Sequence, residues 1–212
     1  MKRMAAVAAL LFAGAALADT TPVMVSLVTP VQAPSRSYDV AGFRLSLLYG
    51  DCRDFKGLDV GVAQRAADGF SGVALGGFNI AGAQFYGVQA GFVNWNSHFA
   101  VDWSSRSVGI QFGAINYADS FCGLQDGALN VSTGNFTGLQ DGLVNFACDL
   151  NGLQCGNWIV LGINIASGSV SGGQIGIVNY AQAMKKGVQI GIVNIIAENG
   201  WLPVLPILNG GF

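Results

Sequence analysis

The chain has 212 residues, of which 31 are glycine and only 10% are charged. Glycine is about twice its usual ~7% and charge is far below the usual ~25%, while half the residues are apolar. With a formal charge of −2, this balance excludes a disordered chain and a basic, nucleic-acid-binding one. Five prolines without a Gly-X-Y period exclude collagen.

The N-terminus reads as a secretory signal peptide over residues 1–18. Lys2 and Arg3 form a positive head, Met4 to Ala15 an apolar stretch, and Ala16-Leu17-Ala18 a small-residue cleavage site. Its removal leaves residues 19–212, read as one all-β repeat domain, and takes two cations from −2 to give −4. No later segment approaches the ~18 unbroken apolar residues of a membrane helix. Export to an oxidising compartment makes the four cysteines candidates for disulfides. Cys122 and Cys148, near the borders of neighbouring repeats, are the preferred pair; Cys148 with Cys155, or four free thiols, are the alternatives.

Internal repeats organise the rest. Weak copies begin at Gly57 (GLDVGVAQ), Gly72 (GVALGGFN) and Gly152 (GLQCGNWI), and clear ones at Gly87, Gly109, Gly123, Gly138, Gly172 and Gly187, the last being GVQIGIVN. Successive starts are 15, 15, 22, 14, 15, 14, 20 and 15 residues apart. Within a copy the alternation has period two, which predicts a strand. Val188, Ile190 and Ile192 fall on one face, and Gly187, Gln189 and Gly191 on the other. A helix would carry two glycines in eight residues, each costing about 1 kcal/mol. Ala118-Asp119-Ser120, Ser132-Thr133-Gly134-Asn135 and Ala166-Ser167-Gly168 have the composition of tight turns.

Two architectures accept a one-strand module of about 15 residues. The first, and the expected one, is an up-and-down antiparallel β-barrel of about 12 strands in the outer membrane. Strands of about ten residues at a tilt near 40° span about 25 Å, the height of the apolar band of such barrels. Val88, Ala90 and Phe92, or Ile110, Phe112 and Ala114, would face lipid, and the chain ends on the aromatic Phe212. The alternative is a parallel β-solenoid with one repeat per coil. It would stack Asn79, Asn94, Asn116, Asn130, Asn145, Asn164, Asn179 and Asn194 in one register. It also keeps Asp126 and Asp141 out of lipid, but exposes an unusual amount of apolar surface.

The GxQxGxxN copies resemble those of exported bacterial surface-repeat proteins whose activity is uncharacterised. The likeness extends to VSLVTPVQ (Val25 to Gln32), GFRLSLLYG and the closing NGWLPVLPILN. It implies a cell-surface or outer-membrane location and carries no chemistry. The copy at Gly152 departs from the pattern, which predicts a bulge or a longer strand over residues 152–164.

Chemistry is sparse. His98, the single histidine, lies beside Ser97 and near Asp102, and neighbours in sequence rarely form a triad. The alternating glycines open no helix, so they make no phosphate loop. Asp51, Asp54 and Asp59 surround Cys52 without calcium-loop spacing and read as a solvated turn. Gln89, Gln111, Gln125, Gln140, Gln154, Gln174 and Gln189 share one repeat position, read as a hydrogen-bonded ladder or as a polar lumen lining. Of the four tryptophans, Trp95, Trp103, Trp158 and Trp201, the first two fall in the longest connection and read either as anchors at a membrane interface or as caps on a solenoid surface. The expectation is a non-enzymatic exported surface protein, with no catalytic residue, cofactor or metal and no nucleic-acid partner. It has a structural or passive-pore role in the bacterial outer membrane, or alternatively serves as a binding or adhesion scaffold; its protein or ligand partner is open.

Overall fold

A computed structural model describes residues 20–97, 107–156 and 162–212. The predicted signal peptide, His98, Asp102, Trp103 and Trp158 lie outside the described residues.

The protein is all-β. In chain order the strands are β1 (Thr20–Val28), β2 (Val31–Ala33), β3 (Asp39–Ala81), β4 (Gln84–Ala90) and β5 (Val93–Asn96). They continue with β6 (Ser107–Ala118), β7 (Phe121–Gly156), β8 (Ile163–Ile175), β9 (Val178–Glu198) and β10 (Val204–Gly211). A straight strand as long as β3, 43 residues, would span about 140 Å at 3.3 Å per residue. Instead the chain bends and pairs with itself: the backbone of Gly57 lies against that of Gly42, and Gly72 against Gly57.

Pairing along the stack is parallel. Gly87 aligns with Gly72, Gly109 with Gly87, Gly123 with Gly109, Gly172 with Gly152 and Gly187 with Gly172. Among the described residues antiparallel pairing occurs only at the ends, where β2 meets β1 and β10 meets β9. The sheet is therefore mixed, with ten strands among the described residues. The antiparallel alternation expected of the repeats is corrected here. Each repeat lies on its predecessor in the same direction, and stretches such as Ser132 to Asn135 turn a corner within β7 rather than close a hairpin.

A single repeat shows why these residues wind this way. Taking Gly123 as position 0, the inward side chains are Phe121 (−2), Gln125 (+2), Asn130 (+7) and Ser132 (+9), all fully buried. Leu124, Asp126, Ala128, Leu129 and Val131 lie on the outside. Alternation breaks at +5 and +6, where two successive residues face out, and at the leading glycine. Ten such glycines, from Gly42 to Gly187, have φ between 131° and 152°, a region essentially closed to residues with a Cβ. A Cβ on Gly123 would strike the carbonyl oxygen of Gly109, so both dihedral and spacing demand glycine. At +4, a Cβ on Gly127 would meet the Gly113 carbonyl and the Asn116 amide.

The core is thus a set of columns running along the stack. At −2, Phe55, Phe70, Phe85, Phe121 and Phe136 stack at centroid distances of 5.2 to 6.4 Å, followed by Leu150 and Val170 and, across a register shift, by Met184 at −3. Offset-stacked rings at such distances add about 0.5–1.5 kcal/mol per pair beyond area burial. At +9, Ala66, Ala81, Ala118, Ala147, Ala166 and Ala181 are buried; small residues there let the opposite walls approach.

Candidate functional site

The repeated amides are the most conspicuous polar feature. All seven glutamines at +2 are buried, as are the asparagines at +7. Asn79 Nδ2 donates to Asn94 Oδ1 at 2.8 Å. The same bond runs on through Asn116, Asn130, Asn145, Asn164, Asn179 and Asn194 at 2.8–2.9 Å. Gln64 Nε2 opens the ladder by donating to Asn79. The second N–H of each interior asparagine goes to a backbone carbonyl of the next coil, for example Asn130 to Asp141 O at 2.8 Å.

The glutamine ladder has the opposite polarity. Gln189 donates to Gln174, Gln174 to Gln154, Gln154 to Gln140, Gln140 to Gln125 and Gln125 to Gln111, at 2.7–2.8 Å. Gln111 donates to Gln89 at 3.1 Å. Spare N–H groups cross the interior to the facing wall, as from Gln140 to Phe146 O and Gln174 to Tyr180 O. Asparagine amides point along the stack one way and glutamine amides the other, so their dipoles oppose. Bonds within each chain polarise one another in the same sense. The glutamines fill the interior and hydrogen-bond across it; they line no lumen.

At the N-terminal end the +2 column carries charge instead. Arg44 and Asp59 occupy it on adjacent coils, both about 1% exposed. Arg44 Nε donates to Asp59 Oδ1 at 2.8 Å and Nη2 donates to Oδ2. Nη1 donates to the Arg65 carbonyl at 2.8 Å, and the guanidinium lies 5.0 Å from the centroid of the Phe55 ring. Burial alone would favour a neutral Arg44, but its hydrogen bonds to the Asp59 carboxylate and that group's charge raise Arg44 above its ordinary value and keep it a cation. Asp59 is therefore no solvated turn residue, and Asp51 is buried as well. Sequence reasoning missed this pair, because the two residues meet only when segments fifteen residues apart stack in parallel.

Cys52 lies inside the same cluster, 3.0 Å from Arg44 Nη1. Burial pushes its thiol up to about 12, against the attraction of Arg44, so it is no nucleophile at neutral pH. All four cysteines are free. The expected Cys122–Cys148 pair is not formed: Cys122 takes position −1 and Cys148 position +10 of their coils, on opposite flanks of the phenylalanine column. Among the described residues no group of three His, Cys, Asp or Glu side chains is placed to hold a metal.

The outer surface divides by chemistry. Charges concentrate between +10 and −1: Lys56, Asp68, Asp119, Asp149, Lys185 and Lys186. A polar cleft of about 330 Å³ lies there, lined by Asn135, Thr137, Asp149, Asn151, Ser169, Ser171 and Lys185. Ser169 donates to Asp149 Oδ1 from its hydroxyl at 2.6 Å and from its backbone at 2.8 Å. Those bonds hold the Asp149 carboxyl below its ordinary value.

The other two outer stretches are apolar. Positions +1, +3 and +5 carry Val73, Leu75, Phe92, Phe112, Ile190 and Ile192, all exposed, broken by Asp126 and Asp141. Positions +6 and +8 carry paired apolar residues at every level from Phe78 and Ile80 to Val193 and Ile195. Trp95 and Tyr117 stack there at 3.9 Å. No family profile, curated protein or solved structure matches the chain.

Proposed function

We propose that the chain is an exported bacterial surface protein folded as a parallel β-solenoid, and that it works as a binding scaffold rather than as a pore or an enzyme. The observation that carries this reading is the buried pair of amide ladders inside parallel coils. A pore needs a polar interior open to water, and here the successive ladder amides bond one another and the facing backbone inside a closed core. The residue types for acid, base or nucleophile do not converge among the described residues, and the ion pair that is buried serves the core. Regularity sits outside: each coil presents the same outward positions one strand spacing, about 4.8 Å, further along. Such arrays suit recognition of extended or repetitive partners.

Export rests on the Lys2–Ala18 segment, and a surface location on the likeness to surface-repeat proteins. The test is fractionation of cells producing the chain, with protease shaving of intact cells. The expected result is loss of residues 1–18, cleavage by external protease, and release without detergent. Recovery only in outer-membrane detergent extracts, with heat-modifiable gel mobility, would overturn the scaffold in favour of a barrel.

A further inference from the structure

The strip at positions +6 and +8 goes beyond what a solitary surface protein needs. Over eight consecutive levels it holds two apolar residues per level and no charged one, ending at Arg65 on one side and at β10 on the other. Position +5 beside it is also free of charge, with Phe92 62% and Ile192 64% exposed. Three outward columns over eight levels measure about 38 Å by about 13 Å from strand spacing and rise per residue. Contiguous apolar patches of this size on a protein surface mark interaction sites.

We infer that this strip is the contact face for a second copy of the same chain. Two features select that occupant, and a third sets aside an anionic lipid surface. The first is pitch: the rows recur at the strand spacing, and a face from another copy offers rows of identical period, so side chains interdigitate along the whole length as in packed sheets. The second is area. A face-to-face pair buries about 1,000 Å² over both copies, at the threshold of a specific interface and in the range of a reversible dimer. The third is charge. The groups flanking the strip are acidic, Asp126 and Asp141 on one side and Asp119 on the other, while Lys185 and Lys186 lie on the far stretch. An anionic lipid surface attracts the reverse arrangement. The stacked Trp95 and Tyr117 add aromatic anchors of the kind that dominate interface energetics.

This inference rests on the scaffold reading for its parallel coils and names the partner of one outer face. The test is sedimentation equilibrium of the exported full chain, alone and as Val131→Lys with Val144→Lys, at the middle of the strip. Wild type is expected to be a dimer at tens of micromolar that dissociates on dilution, and the double variant a monomer with an unchanged far-UV β spectrum. Thr137→Lys, on the polar stretch, is expected to stay dimeric. Should the lysine pair fail to fold, Val131→Thr with Val144→Thr keeps the side-chain shape and is expected to weaken the dimer at least tenfold. A folded wild type that stays monomeric at 100 μM, a folded double variant that still dimerises, or monomers captured by neutral phosphatidylcholine vesicles would each overturn the inference. A β-rich monomer leaves the scaffold standing, whereas recovery only in detergent extracts of the outer membrane overturns the scaffold and the dimer with it.

Discussion

Replacing Asn130 by alanine tests whether the amide ladder holds the coils together. Asn130 accepts from Asn116 Nδ2 and donates to Asn145 Oδ1 and to the Asp141 carbonyl, each at 2.8 Å. Its removal strands one N–H of Asn116 and the Oδ1 of Asn145 in a fully buried core. A buried polar group left unpaired costs about 1–3 kcal/mol, so the two together cost about 2–6 kcal/mol. Asn194, at the end of the ladder, supplies the internal comparison. It accepts from Asn179 at 2.8 Å, and Asn179 Nδ2 keeps carbonyl partners at Ile190 and Gly176. Asn194→Ala should therefore cost about 1 kcal/mol. Both variants are to be unfolded in guanidinium chloride with far-UV circular dichroism as the readout. A stack whose stability is a sum over neighbours should also broaden or split its transition when it is cut in the middle. Equal losses for the two variants, within about 0.5 kcal/mol, would refute the ladder as the cohesive element.

Three further outcomes follow from the same geometry. Gly138→Ala, at φ 131° with its new Cβ against the Gly123 carbonyl, should lower stability by at least the ~1–3 kcal/mol of a forbidden backbone region; an unchanged denaturation midpoint would contradict it. Cys52 should resist iodoacetamide in the native protein while Cys122 and Cys148, which are part-exposed, react, and all four should react in denaturant; mass spectrometry of the labelled peptides decides. Asp149 has a lowered folded value, so the stability it contributes is complete above the ordinary carboxylate range and fades as pH falls through that lowered value. Asp149→Asn should flatten the acid limb of the stability–pH curve by a small amount, and an acid limb identical to wild type would count against the Ser169 bonds.

Much of the interior was legible in the sequence. Period-two alternation sets glutamine opposite valine and isoleucine, and the structure places them so; the same alternation sets asparagine on the valine face, and the break at +5 and +6 turns it inward instead. Pairing direction was not legible from alternation, because it says which side a residue faces and nothing of which way the neighbouring strand runs. The common polarity of the asparagines carries that information, whereas the apolar outer surface points to lipid. The phenylalanine column escaped because counting from glycine left it outside each copy, although Phe-x-Gly precedes Gly57, Gly72, Gly87, Gly123 and Gly138. The alanine two residues after many of the asparagines was likewise in view. Arg44 and Asp59 could not be paired without the parallel stack, since their chemistry departs from the glutamine they replace.

Spin labels at Phe43 and Leu208 give the most direct test of the stacked coils. Both residues are exposed, and Cys122, Cys148 and Cys155 would be replaced by serine so that labels attach only at the two chosen sites. Phe43 lies beside Gly42 on the coil that pairs with β1, and Leu208 pairs with Ile190 beyond the last glycine-led coil. Ten inter-strand steps of about 4.8 Å separate them, about 48 Å. A double electron–electron resonance distance near that value is the result predicted by parallel stacking. A distance below about 20 Å, as when first and last strands meet in a closed barrel, would contradict it.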